Sequence, residues 1–188
     1  MILKSKEFIK SVVFFAALAL FLFLLRQFVF TPVIVKGHSM DPTLADGERV
    51  IALKNTKINR FDIVTLHAPD DADKNYIKRV IGLPGETIEY RDDVLYINGE
   101  EIQEPYLDQF KSEMPKGTLF TDNFSLAEIG AQKVPEGKLF VLGDNRQNSK
   151  DSRIIGFIDE KEIMGDVKFV MWPLDRFGMI PSVKSDAK

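Results

Sequence analysis

"SVVFFAALALFLFLLRQFVF", Ser11 to Phe30, decides the fold, because it divides the chain into an apolar rod and a mixed, charged remainder. Val12 to Leu25 carries no polar side chain, and only Arg26 and Gln27 interrupt the run before Phe28. About 20 helical residues at ~1.5 Å each match a ~30 Å hydrocarbon core. Apolar residues occupy every face rather than one stripe, unlike the helix of a soluble core. Ala17 and Ala19 form an Ala-x-Ala pattern, but more apolar residues follow it and no polar stretch precedes it. The segment therefore reads as a retained anchor, not a cleaved leader. Arg26 falls near one end, where its long stem reaches the headgroups. Lys4, Lys6 and Lys10 precede the span with only Glu7 against them. This charge bias predicts a cytoplasmic N-terminus (1–10), a single transmembrane anchor (11–30) in the cell membrane and an extracytoplasmic remainder.

The bulk numbers fit one domain on that anchor. The 188 residues carry a net charge of -3, and the Lys and Arg outside the N-terminus are scattered. No basic field for nucleic acid results. With no cysteine, neither a disulfide framework nor a thiolate metal site is available.

Beyond Val33 the apolar residues come in short runs between turn signals, the rhythm of strands. Arg49–Asn55, Phe61–His67, Tyr76–Gly82 and Lys138–Gly143 each read as a strand. Thr87–Gly99 alternates around Asp92-Asp93 and closes on Asn98-Gly99, a hairpin signature. Glu162–Pro173 supplies another strand with Gly165 at a bulge, and Asp159–Ile163 one helical turn. Glu104–Pro135 is polar and aperiodic, so an irregular insertion is expected over about 100–137. The expected fold is mainly β: one transmembrane helix, a β-rich domain at 31–181 and a loose tail at 182–188.

Chemistry concentrates in three stretches. "VKGHSMDPTL", Val35 to Leu44, sets Ser39 beside His38, close to the membrane. An extended chain covers at most ~3.3–3.6 Å per residue, which keeps Ser39 within ~30 Å of the span's end at Phe30. A serine needs a base within hydrogen-bond reach to become a nucleophile. His38 is its immediate neighbour, and adjacent side chains on an extended segment point to opposite sides. His67 remains open as the base of a Ser-His-Asp hydrolase. The other base is a lysine whose amine is neutral because apolar burial disfavours its charge. Most lysines here sit among polar residues, but "NYIKRVIGLPGE" places Lys78 in mid-strand, with Lys168 and Lys138 as candidates behind it. A solvated patch formed by Lys78 and Arg79 on an edge strand is an equal alternative. The third stretch is "GDNRQNSKDSR", Gly143 to Arg153. It fails the calcium-loop pattern, which needs Gly at the sixth position and Glu at the twelfth, where Ser149 and Ile155 stand. A loop held by Asp–Arg pairs fits better.

In this order the three stretches resemble the motifs of type I signal peptidases, membrane-anchored Ser/Lys proteases that remove signal peptides from exported proteins. "FDIV" and its flanks look like a further family motif between them. The short chain and single anchor are similar to the Gram-positive form. The resemblance implies Ser39 as nucleophile, Lys78 as general base and Ser149 orienting Lys78. It also implies Asp144, Arg146, Asp151, Arg153 and Arg79 as supports, and Met40 packed beside the nucleophile. Gly37 stands where some members carry a serine that helps the oxyanion hole, and Gln147 where many carry an acid. Implied partners are signal peptides with small residues at an Ala-x-Ala site, the lipid bilayer and nearby secretion machinery; no cofactor or metal is implied. Ile34, Val35 and residues near Val80 are candidate pocket walls. A catalytically silent or single-substrate tethered relative is the alternative.

Overall fold

The computed structural model describes residues 2–71 and 73–183, so the expected tail lies outside the described residues from 184 onward. Helix α1, Ile2–Phe28, is one uninterrupted rod. Its Lys6–Phe28 segment is apolar enough to cross a membrane, and its most apolar stretch buries no residue against the described remainder. The rod ends earlier than the apolar run does. Phe30 already pairs with Leu53, because strand β1 (Phe30–Ile34) lies antiparallel on β2 (Arg49–Leu53).

The remaining strands are β3 (Ile63–His67), β4 (Asn75–Gly82), β5 (Ile88–Arg91), β6 (Val94–Ile97), β7 (Glu100–Ile102), β8 (Phe124–Ser125), β9 (Lys138–Leu142), β10 (Ile158–Asp159), β11 (Ile163–Trp172) and β12 (Gly178–Met179). The large sheet runs β1-β2-β11-β3-β4-β9-β10, with β12 added on β11. A second sheet runs β7-β6-β5-β8, so the hairpin at Ile88–Ile97 and the start of the inserted region share one sheet. All pairings are antiparallel, and the fold is mainly β as expected.

Local chemistry sets the turns. Asp92 and Asp93, then Asn98 and Gly99, hold positive φ at both central positions of their turns, the geometry that matches strand twist. Asp93 also accepts the amides of Phe120 and Thr121 at 2.7 and 2.5 Å, tying the hairpin to the inserted region. Gly165 sits where the register shifts between β11 and β3, and a Cβ there would lie 2.8 Å from Leu53 O. The polar insertion contains the short helix α2, Asp108–Glu113. The two sheets share a core in which Ile81, Phe140 and Leu142 meet Ile88, Tyr90, Leu95 and Phe124. A separate cluster of Val35, Met40, Leu44, Val50, Ile63, Ile77 and Val170 lies beneath the segment that carries Ser39.

Candidate active site

Ser39 stands in the turn after β1, and that turn is fixed from several directions. Gly37 holds φ +82° and donates its amide to Asp46 Oδ1 at 2.7 Å. Met40 is 1% exposed, so its side chain nails the turn to the core. Leu44 N donates to Met40 O at 2.9 Å, and Asn145 N donates to Ser39 O at 3.1 Å. A Cβ on Gly143 would lie 2.5 Å from Ser39 O and nearer still to Ser149 Oγ. Only glycine allows the end of β9 to approach the Ser39 turn this closely.

Lys78 comes from β4, where it pairs with Val64. Its Nζ lies 2.8 Å from Ser39 Oγ. The residue is 3% exposed, and burial lowers its amine from 10.5 to about 8. The Asp151 and Asp144 carboxylates oppose that fall, and Arg153 adds to it. Arg79 leaves the same strand on the opposite side and is 2% exposed, so the pair is not a solvated edge patch. It clamps Asp144 with two bonds, Nε to Oδ1 at 2.8 Å and Nη2 to Oδ2 at 2.6 Å. Its remaining nitrogen donates to Phe61 O at 2.8 Å, and its guanidinium stacks 3.9 Å from the Tyr106 ring centroid. Thr43 Oγ1 donates to the same carboxylate at 2.5 Å. Asp144 thus joins the Ser39 turn, β4 and the loop after β9.

That loop is braced by two further acid–base pairs. Asp151 caps helix α3 (Ser152–Ile155), accepts Gly143 N at 3.1 Å and holds Arg153 through Nε and Nη2, each at 2.9 Å. Arg153 in turn donates to Arg146 O at 2.8 Å. Arg146 pairs with Glu104 at 2.5 Å, with both side chains shut off from solvent, and donates to Tyr90 OH at 2.8 Å and Gly143 O at 3.0 Å. Ser149 packs on Gly143, its hydroxyl buried and free of any hydrogen bond among the described residues, one to Lys78 included.

A cleft of about 570 Å³ opens onto Ser39 and Lys78, walled by Ile34, Val35, Tyr76 and Ile77. Val80 is not part of that wall; it lies in the core with Val64 and Leu139. On one side β1 is the last strand of its sheet. On the other, β9 pairs with β4 only from Arg79 onward, which leaves Asn75 to Lys78 unpaired on that edge. His38 turns outward to Asp41, Nδ1 to Oδ2 at 2.9 Å, and His67 is exposed at the end of β3. Neither histidine makes a hydrogen bond to Ser39 among the described residues.

The structure brings together Ser39, Lys78, Met40, Arg79, Asp144, Asp151 and Arg153, with Arg146 behind them. Gln147 stays at the surface, donating to Leu119 O at 3.2 Å. Sequence reasoning missed Thr43, Gly143 and Glu104. Gly143 carried a readable signal, a glycine directly between an apolar strand and the Asp-rich loop. Glu104 carried none, since nothing local distinguishes it from its acidic neighbours.

A family profile described as "Signal peptidase, peptidase S26" matches residues 5–172. The chain therefore belongs to the S26 signal peptidases. It is 41% identical over 182 residues to signal peptidase IB of Staphylococcus aureus (strain N315), covering 92% of this chain and 94% of that protein. It is 45% identical over 175 residues to signal peptidase I of Bacillus licheniformis, covering 90% and 89%. A crystal structure of a signal peptidase I from Enterococcus faecalis V583 superposes with a TM-score of 0.57 at 45% identity, covering 59% of this chain and 97% of that one. The enzymatic function that follows is signal peptidase I activity, and the N-terminal apolar helix is consistent with a single membrane anchor.

Proposed function

We propose that the chain is a membrane-bound serine endopeptidase that cuts signal peptides from exported preproteins with Ser39 as nucleophile and Lys78 as general base. The observation that carries this reading is the 2.8 Å contact between Ser39 Oγ and a buried amine whose value has fallen to about 8. Near neutrality a useful fraction of such an amine is unprotonated, whereas an ordinary lysine near ~10.4 has almost none.

Neutral Lys78 takes the Ser39 proton as Oγ attacks the scissile carbonyl. Negative charge then develops on the carbonyl oxygen and needs preorganised donors. The Ser39 amide donates to no group among the described residues, which leaves it for that task, whereas the Gly37 amide is spent on Asp46. Protonated Lys78 passes its proton to the leaving amine, and the acyl-enzyme forms. Water activated by the same lysine releases the signal peptide. Ser149, whose buried hydroxyl has no partner among the described residues, turns to the amine and orients it between these steps. Arg79, Asp144, Arg146, Asp151 and Arg153 hold the two loops in register. The substrate lies extended between the free edges of β1 and of β4, with small residues of the Ala-x-Ala type in the cleft by Ile34, Val35 and Ile77. The N-terminus faces the cytoplasm, the catalytic domain lies outside against the cell membrane, and preproteins arrive from adjacent secretion machinery.

The test is cleavage of a preprotein with an Ala-x-Ala site by the full chain in lipid, with the cut mapped by N-terminal sequencing. Ser39→Ala and Lys78→Ala should each abolish product, while His38→Ala and His67→Ala leave it. Product from Lys78→Ala with none from His67→Ala would replace the dyad with a histidine-based hydrolase.

A further inference from the structure

The last carbonyls of α1 are all taken, and two residues just after β2 take most of them. Leu25 O accepts Val29 N at 2.8 Å, the last bond of the helix itself. Lys54 Nζ then reaches Gln27 O at 2.9 Å and Arg26 O at 3.3 Å. Asn55 Nδ2 donates to Phe28 O at 3.4 Å, and Lys54 N donates to Val29 O at 2.8 Å. A helix normally ends with orphan carbonyls and a partial negative charge, which water or a cap must satisfy. Here a cation from the catalytic domain does so at the point where the anchor meets it. Only Val29 separates the helix from β1.

We infer that Lys54 and Asn55 form a clasp that fixes the angle between the membrane anchor and the peptidase domain, and thereby selects which bond of a membrane-inserted substrate reaches Ser39. The lever is short and stiff. β1 is pinned at Phe30 and lines the cleft from Pro32 to Ile34, its far end ~13 Å away at ~3.3 Å per residue. A swing of about ten degrees at Val29 moves that far end by roughly 2 Å. Catalysis is sensitive to misplacement of this size: ~1 Å costs as much as a hundredfold. A short peptide free in solution can follow the domain as it swings, but a signal peptide held in the bilayer cannot. Lys54 and Asn55 are positioning residues, since neither lines the cleft.

This inference rests on the proposed assignment of Ser39, so the experiment carries Ser39→Ala alongside. Full-length wild type, Lys54→Met, Lys54→Arg and Asn55→Ala are placed in vesicles and given two substrates. One is a short soluble peptide. The other is a membrane-inserted preprotein with staggered Ala-x-Ala sites. Lys54→Met should cut the soluble peptide at the wild-type rate, which also shows that it is folded. On the preprotein its kcat/KM should fall about tenfold and its cuts should spread over neighbouring sites. Asn55→Ala should do the same more weakly, and Lys54→Arg should restore both rate and register. Equal loss on both substrates, or no change on either, overturns the clasp. If Ser39→Ala still cuts, the nucleophile assignment fails whatever Lys54 does.

Discussion

At the scale of the residue, Lys78 carries the most consequential physics. Its buried amine titrates near about 8 when folded and at 10.5 when exposed. Between those values the unfolded chain holds more protons than the folded one, so stability rises with pH across that window. Below it the folded protein bears a charge that burial disfavours. Lys78→Met keeps an unbranched side chain, one atom shorter, and removes the charge. At about pH 6 the variant should melt above wild type, and the gap should close between pH 8 and 10.5 as the wild-type amine loses its proton. Differential scanning calorimetry in detergent measures this. A variant that melts lower than wild type at about pH 6 would mean that the lysine stabilises the fold and is not strained within it. A residue placed at a cost to stability is the signature of a functional site.

At the scale of the element, the site exists because three backbone segments approach one another closely. Gly143 is the contact point, and Gly143→Ala forces a Cβ onto Ser39 O and Ser149 Oγ. Both loops belong to well-packed segments, so they must part by about an ångström rather than rearrange freely. The variant should fold, with near-wild-type circular dichroism, yet lose about a hundredfold in kcat for preprotein. Unchanged turnover would show that the approach of β9 to the Ser39 turn is not needed. Much of this level was legible beforehand. Alternation and Asn-Gly chemistry located the hairpins, because a turn with two positive φ values tolerates few residue types. Lys78 stood out because a charge inside an apolar run must be buried with a partner or exposed on an edge. The start of β1 was hidden, since Phe30 continues the apolar anchor and only its pairing with Leu53 ends the helix. The Arg146–Glu104 pair was hidden for a related reason. Sequence shows which charges exist but not which ones a fold brings together.

At the scale of the whole molecule, the large sheet has the anchor at one end of its edge and a group of exposed apolar side chains at the other. Ile34 pairs with Arg49, and Arg49 with Trp172, which puts Trp172 at the end of β1 away from α1. Trp172, Leu174, Phe177 and Met179 are all at least half exposed there. Side chains of this kind settle at a membrane interface. Trp172 is the only tryptophan, so its emission reports on this face alone. Brominated lipids should quench it in the full-length protein, and an unquenched signal would mean that this face points away from the bilayer. Quenching would set anchor, aromatics and cleft along one membrane surface.

Whether a neutral Lys78 activates Ser39 is read from the pH dependence of kcat/KM for preprotein cleavage by the full chain in lipid. The free enzyme's base sets the acid limb of that profile. Cleavage should rise with unit slope and level off near pH about 8, the value that burial gives the Lys78 amine. A limb that bends near ~6.5, the ordinary histidine value, would contradict it.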